Sequence, residues 1–184
     1  MPKIALIILA EGFEEVEAIA VVDLLRRTGT RVIMAGLAAL KVPSSRKITV
    51  EADVLLKDFT EMPDALILPG GIPGATNLAK SAEVATLVKK MNAAGKLIAA
   101  ICAAPAAVLA PLGILDGKKA TCYPGCESDF SKKTIHSKDP VVVDGNIITS
   151  QGPGTALEFA LAIAARLVGQ EMAETIREKM LIPS

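Results

Sequence analysis

Lys96-Leu-Ile-Ala-Ala-Ile-Cys102-Ala-Ala-Pro105-Ala-Ala-Val-Leu-Ala-Pro111 is the stretch whose reading decides the fold. Leu97 to Ile101 is a short unbroken apolar run, the pattern of a strand buried on both faces. Residues 103–110 are rich in alanine, and Pro105 suits a first helical turn, where its missing N–H is no loss. Strand and helix therefore meet at Cys102. That is the geometry of a nucleophile elbow, although Ile-Cys-Ala-Ala-Pro stands where hydrolases carry Gly-x-Ser-x-Gly. Backbone N–H groups at a helix N-terminus favour a thiolate, so a lowered thiol pKa is expected at Cys102. On this stretch alone the competing reading is a structural core cysteine, since cysteine is among the most buried residue types.

Outward from the elbow, the same alternation recurs. Residues 3–10 read as a buried parallel strand, residues 14–28 as a helix, and residues 31–37 as a second strand, a β-α-β unit. The helix carries acidic residues in its first turn, Arg26 and Arg27 in its last and Gly29 beyond it, all matched to the helix dipole and to a C-terminal cap. Residues 44–47 look like a turn, and residues 48–55 like one outer strand. Residues 64–68 form the next buried strand, ending in Pro69-Gly70-Gly71, and residues 81–92 a helix closed by Gly95. Residues 118–122 suggest a short strand. Asp144-Gly145 between two β-branched runs signals a hairpin with a type I′ turn. Thr155 or a neighbour caps a helix to about residue 169, and a last helix spans residues 170–180. Alternating buried strands and helices predict a three-layer α/β sandwich with a mostly parallel sheet. At 184 residues, 1–184 reads as a single domain.

Composition narrows the function. The chain is 51% hydrophobic with four Phe, one Tyr and no Trp, so its core is aliphatic. Twenty basic side chains balance twenty acidic ones, which leaves no field for nucleic acid or an anionic membrane. The three cysteines have no zinc-type spacing, and no stretch has the shape of a signal peptide or a membrane span, so a reduced cytoplasmic protein is expected.

In open α/β sheets, ligands bind beyond the carboxyl ends of the strands. The loops there with special chemistry are the turn at 11–17, Pro69-Gly70-Gly71 and the Cys102 elbow. Gly70 and Gly71 let backbone N–H groups approach a ligand atom closely, and with the N–H of Ala103 they would form an oxyanion pocket; by itself Gly-Gly after a strand more often marks a tight turn. The acidic run Glu14-Glu15-Val16-Glu17 reads as N-terminal helix charge, except for the member that turns inward. Helical spacing from Phe13 and Val16 favours Glu17 for that place over Glu14. A carboxyl buried beside a thiol has its pKa raised, and its proton can be donated to the thiolate.

Residues 10–17 (Ala-Glu-Gly-Phe-Glu-Glu-Val-Glu), 68–71 (Leu-Pro-Gly-Gly), 99–105 (Ala-Ala-Ile-Cys-Ala-Ala-Pro) and 149–155 (Thr-Ser-Gln-Gly-Pro-Gly-Thr) strongly resemble the ThiJ/PfpI superfamily. The branch is that of the parkinsonism-associated deglycase and its bacterial relatives, and the likeness runs over essentially the whole chain. The resemblance implies a flavodoxin-like sandwich, a homodimer and an easily oxidised elbow cysteine at Cys102. It places the buried glutamate that bonds the cysteine at Glu17 and the anion-binding backbone at Gly71 and Ala103. It further implies a cross-dimer arginine at Arg46 and paired helix-closing arginines at Arg26 and Arg27.

The activities it implies are a glutathione-independent glyoxalase turning methylglyoxal into lactate, deglycation, a chaperone-like action and oxidative-stress sensing. The substrate would be a small α-oxoaldehyde, with no metal or organic cofactor. Two departures stand out. Tyr123 occupies the place, before Pro124, where many members carry histidine, and Ala103 follows the cysteine where the protease-like branch carries histidine. A Cys–His peptidase dyad is therefore not expected. His136, in a polar loop, is expected to be exposed, and Cys122 and Cys126 to be bystanders rather than sites of oxidation or metal capture.

Overall fold

The computed structural model describes residues 2–183, and strand and helix alternate along it from the start. β1 (Ile4–Leu9), α1 (Glu15–Arg27) and β2 (Arg31–Gly36) form the opening β-α-β unit. β3 (Lys41–Pro43) and β4 (Thr49–Glu51) make a separate hairpin, and β5 (Val54–Leu55) returns to the main sheet. There follow β6 (Ala65–Leu68), α2 (Gly74–Lys80), α3 (Ala82–Ala93), β7 (Leu97–Ile101) and a helical turn over Pro105–Leu109. β8 (Lys119–Ala120) pairs with β9 (Ile135–His136), then β10 (Val141–Asp144) with β11 (Ile147–Ser150), before α4 (Ala156–Val168) and α5 (Gln170–Lys179).

The main sheet has seven strands in the order β10-β11-β7-β6-β1-β2-β5, parallel throughout except for β10. Both faces of its central strands are covered, and the two-residue period of the pleat shows it. Ala5, Ile7 and Leu9 of β1 join Leu25, Phe159 and Ile163 beneath α1 and α4. Leu6 and Ile8 point the other way, to Leu78, Val88 and Leu109. This is the mostly parallel, flavodoxin-like sandwich expected. The chain runs from β1 to β2 and β5 on one side, then crosses to β6 on the other. β1 and β6 thus flank a reversal of strand order, where a crevice opens beyond the carboxyl ends.

Several local expectations are corrected. Residues 48–55 are not one strand: the ladder breaks at Asp53, whose carboxylate accepts the Met34 N–H at 2.8 Å while its own N–H donates to the Met34 carbonyl. α2 carried no apolar period in the sequence. It forms because Ala75 and Leu78 are buried and because Gly74 passes so close to Phe13 that an added Cβ would lie 2.6 Å from the Phe13 nitrogen. The hairpin turns on Gly145-Asn146 rather than Asp144-Gly145, with positive φ only at Gly145 (61°), the type II′ pattern. Thr155 does not cap α4 through its side chain; its hydroxyl lies 2.6 Å from Ser150 Oγ and accepts the Gly152 N–H. The turn after Cys102 is wider than an α-helix, the Ala110 N–H donating to the Pro105 carbonyl at 3.0 Å. Among the described residues, no helix is long and apolar enough to cross a membrane.

Candidate active site

β7 delivers Cys102 with φ at 64°, left-handed backbone that costs a non-glycine residue about 1–3 kcal/mol. Both of its backbone groups are tied down. Its N–H donates to the Ser150 carbonyl at 2.9 Å, and its carbonyl accepts the Tyr123 N–H at 2.8 Å. Ser150 is itself fully buried, its hydroxyl donating to the Pro140 carbonyl at 2.8 Å. The neighbouring strands therefore hold the strained elbow in place, and the thiol emerges half-buried beside the crevice.

α1 supplies the carboxyl. Glu14 is its N-cap, accepting the Glu17 N–H at 2.8 Å, which spends the Glu14 side chain on the helix end. Glu17, three residues on, is completely buried, and its Oε2 accepts the Gly70 N–H at 2.8 Å. The Cys102 thiol is within hydrogen-bonding reach of the same carboxyl. Oε1 of Glu17 is buried without a hydrogen-bond partner. Gly70 has room for no side chain: an added Cβ would stand 2.5 Å from Cys102 Cβ and 2.8 Å from Glu17 Oε2. Gly71, at φ 88°, is equally constrained, by the Glu14 nitrogen and the Gly12 carbonyl, each 2.5 Å from an added Cβ.

Burial pushes the Glu17 carboxyl up to about 7, against the hydrogen bonds from Gly70 and Cys102 that favour its charge. Burial also pushes the Cys102 thiol up to about 12. The Glu17 charge adds to this, and the N–H groups of Gly71 and Ala103 pull the other way. The expectation of a lowered thiol pKa from backbone N–H groups alone is thus corrected, because burial and the carboxylate outweigh them. With Glu17 protonated the repulsion vanishes and its O–H can donate to a thiolate, while burial still holds the thiol above its ordinary value. The thiolate form is the one in which Glu17 is neutral.

Around the pair lies a cavity of about 390 Å³ whose walls include Glu17, Arg46, Gly71, Cys102, Tyr123 and Cys126. A matching family accompanies this geometry: residues 3–166 fit the DJ-1/PfpI family. The chain belongs to the DJ-1/PfpI family. It is 42% identical to Protein DJ-1 homolog B of Arabidopsis thaliana over 96% of its own length but only 41% of that protein's, so it spans less than half of that relative. It is 37% identical to a Caenorhabditis elegans protein named glutathione-independent glyoxalase DJR-1.2, covering 98% of this chain and 97% of that one. A solved DJ-1 superfamily protein of Salmonella typhimurium superposes with a TM-score of 0.95 at 36% identity, covering 99% of this chain and 100% of the other.

Within this DJ-1/PfpI fold, Cys102, Glu17, Gly71 and Ala103 converge. Gly70 does not join the oxyanion donors, since its N–H is taken by Glu17. Arg46 lines the cavity of its own chain. Arg27 pairs with Asp23 on its own helix at 3.0 Å, and Arg26 donates to Val32 O and Asp53, both at the end of α1 remote from Glu17. His136 is exposed, as expected. Tyr123 and Cys126 in the wall were not read as site residues, because their approach depends on the Tyr123–Cys102 backbone bond, which no sequence period encodes.

Two tests follow from this geometry. The unfolded chain ionises Glu17 near 4.5 and the folded chain near 7, so stability falls as pH rises through that window, by about 3 kcal/mol in all. Glu17→Gln removes that loss. Urea denaturation should show the variant gaining on wild type from pH 5 to pH 8; a gap that does not change with pH refutes a raised carboxyl pKa. Gly70→Ala should part the thiol from the carboxyl and slow Cys102-dependent turnover about 100-fold, with circular dichroism reporting whether the fold survives. Unchanged turnover in a folded variant contradicts the close packing at Gly70.

Proposed function

We propose that this protein is a cofactor-free glyoxalase acting on small α-oxoaldehydes of the methylglyoxal type. The observation that carries the reading is the meeting of a thiol, a carboxyl with a pKa near neutrality and two backbone N–H donors at one cavity mouth. The printed name of the nematode relative supports it. The Cys102 thiolate attacks the aldehyde carbon to give a hemithioacetal, and the oxygen that gains charge is held by the N–H groups of Gly71 and Ala103. The proton released to Glu17 passes to that oxygen. Glu17, again a carboxylate, removes the hydrogen from the same carbon and returns it to the neighbouring ketone carbon, while the hydroxyl proton leaves the first oxygen, which becomes the thioester carbonyl, and the former ketone oxygen is protonated. One carbon is oxidised and its neighbour reduced, so no external electron carrier takes part. Water then cleaves the lactoyl thioester, releasing lactate and the thiol. A carboxyl whose pKa lies near the working pH suits both the acid and the base halves of this cycle.

Lactate formation from methylglyoxal without glutathione should be lost in Cys102→Ala and reduced at least about 100-fold in Glu17→Gln, both variants remaining folded. Wild-type activity no greater than that of Cys102→Ala would instead favour an oxidisable, redox-sensing cysteine. The same N–H donors that hold an oxyanion would hold its sulfinate.

The protein works as a homodimer in this reading. α1 exposes Val16 (50%) and Ile19 (39%), and Ile48 (54%) is exposed just before β4. The hairpin lies beside α1, with Ser45 Oγ donating to Glu15 at 3.1 Å. An apolar patch of this kind next to Arg46 suits a second copy. Val16→Asp should convert a dimer to a monomer in analytical ultracentrifugation, and a wild-type monomer would remove the dimer from the reading.

A further inference from the structure

Beyond the cavity, one cluster of donor atoms is unused by the chemistry above. Sγ of Cys122, a carboxylate oxygen of Glu127 and a ring nitrogen of His136 all lie within 4.8 Å of one another. We propose that Cys122, Glu127 and His136 bind one zinc ion on the flank of the active-site cavity. The inference does not depend on the glyoxalase reading.

Three elements bring these residues together. His136 lies in β9, opposite Ala120 of β8, and Cys122 follows two residues after Ala120. The pairing is fixed by the Ile135 N–H donating to Lys118 O at 2.9 Å and the Ser137 N–H to Ala120 O at 2.8 Å. Glu127 sits in the turn Cys126–Asp129, and its Oε2 accepts the Gly125 N–H at 2.6 Å, which orients the carboxylate. The His136 ring stands edge-on to Phe130, with centroids 6.0 Å apart. Such outer contacts are what ligating side chains use to hold their direction.

Thiolate, imidazole and carboxylate together form a zinc donor set, with a fourth position left for water. Calcium and magnesium are disfavoured, since they take oxygen ligands almost exclusively. Zinc bonds of about 2.0–2.3 Å in a tetrahedron place ligand atoms about 3.5 Å apart, so the two outer side chains must close by roughly 1 Å. Glu127 and His136 are exposed and free to do so, while the sulfur anchor, Cys122, is only 1% exposed. Glu127 and Asp129 add negative charge around Cys122, which a dication would offset. On ligation the thiol gives its proton to solvent. Tyr123 and Cys126, which line the catalytic cavity, lie between the ligands, so the ion would clasp that wall of the cavity to the β8–β9 pair.

The test is a titration of metal-free full-length protein with zinc against a chromophoric chelator, and with cobalt(II) as a spectroscopic probe. One ion per chain is expected, with a thiolate-to-cobalt charge-transfer band in the near ultraviolet. His136→Ala and Glu127→Gln, both at exposed positions, should each weaken zinc binding at least about 10-fold. Cys122→Ser should abolish the band, and Cys102→Ala should retain both band and affinity. Absence of stoichiometric uptake overturns the proposal. So does a band lost in Cys102→Ala but kept in Cys122→Ser, which would place the ion in the cavity. If Cys122→Ser does not fold, His136→Ala decides: undiminished affinity there overturns the site.

Discussion

A carboxyl group on the inner face of α1, with no ion-pair partner among the described residues, sets the terms for everything around it. Glu17 is fully buried, and among the described residues it bonds one backbone N–H and one thiol, while the charge of Glu14 pushes its pKa further up. Desolvation holds its proton until near neutral pH, and that proton makes a thiolate at Cys102 attainable in spite of burial. Remove the proton and carboxylate and thiolate would face each other as like charges at hydrogen-bonding distance. The two groups are therefore coupled, with burial holding both above their ordinary values.

Bringing the two groups that close has structural costs. Cys102 takes a left-handed backbone, Gly70 gives up any side chain, and a buried carboxylate opposes folding as pH rises. The aliphatic layers on both faces of the sheet provide the rigidity that sustains this. β1, β6 and β7 are almost wholly buried, and β6 and β11 flank the elbow strand. Ser150 on β11 supplies the carbonyl that ties the Cys102 N–H, so a strand nearly fifty residues away in the chain fixes the backbone of the elbow.

The wall formed by residues 121–137 has a different character. It rests on two short parallel strands and a turn, and it presents Tyr123 and Cys126 to the cavity. Tyr123, read in the sequence as a departure from the histidine of the resembled family, lines the cavity. His136 is left on the outer side of the same wall, edge-on to Phe130.

Sequence by itself determined the layered architecture, because period and punctuation are local properties. The unbroken apolar runs of β1, β6 and β7, the acidic start and basic end of α1, and Gly29 beyond it all act within a few residues of themselves. Cys102 was legible for the same reason, as the residue where an apolar run gives way to a helix-forming one. Glu17 was legible in part: helical spacing turned it inward, and the N-cap role of Glu14 separates the two. Only the tertiary structure decided that Gly70 serves Glu17 rather than an oxyanion and that residues 48–55 divide at Asp53. It alone brought Cys122 to Glu127 and His136. Each of these depends on contacts between elements distant in the chain or on competition for one hydrogen-bond donor, and a one-dimensional pattern carries no record of which partner a donor finds first.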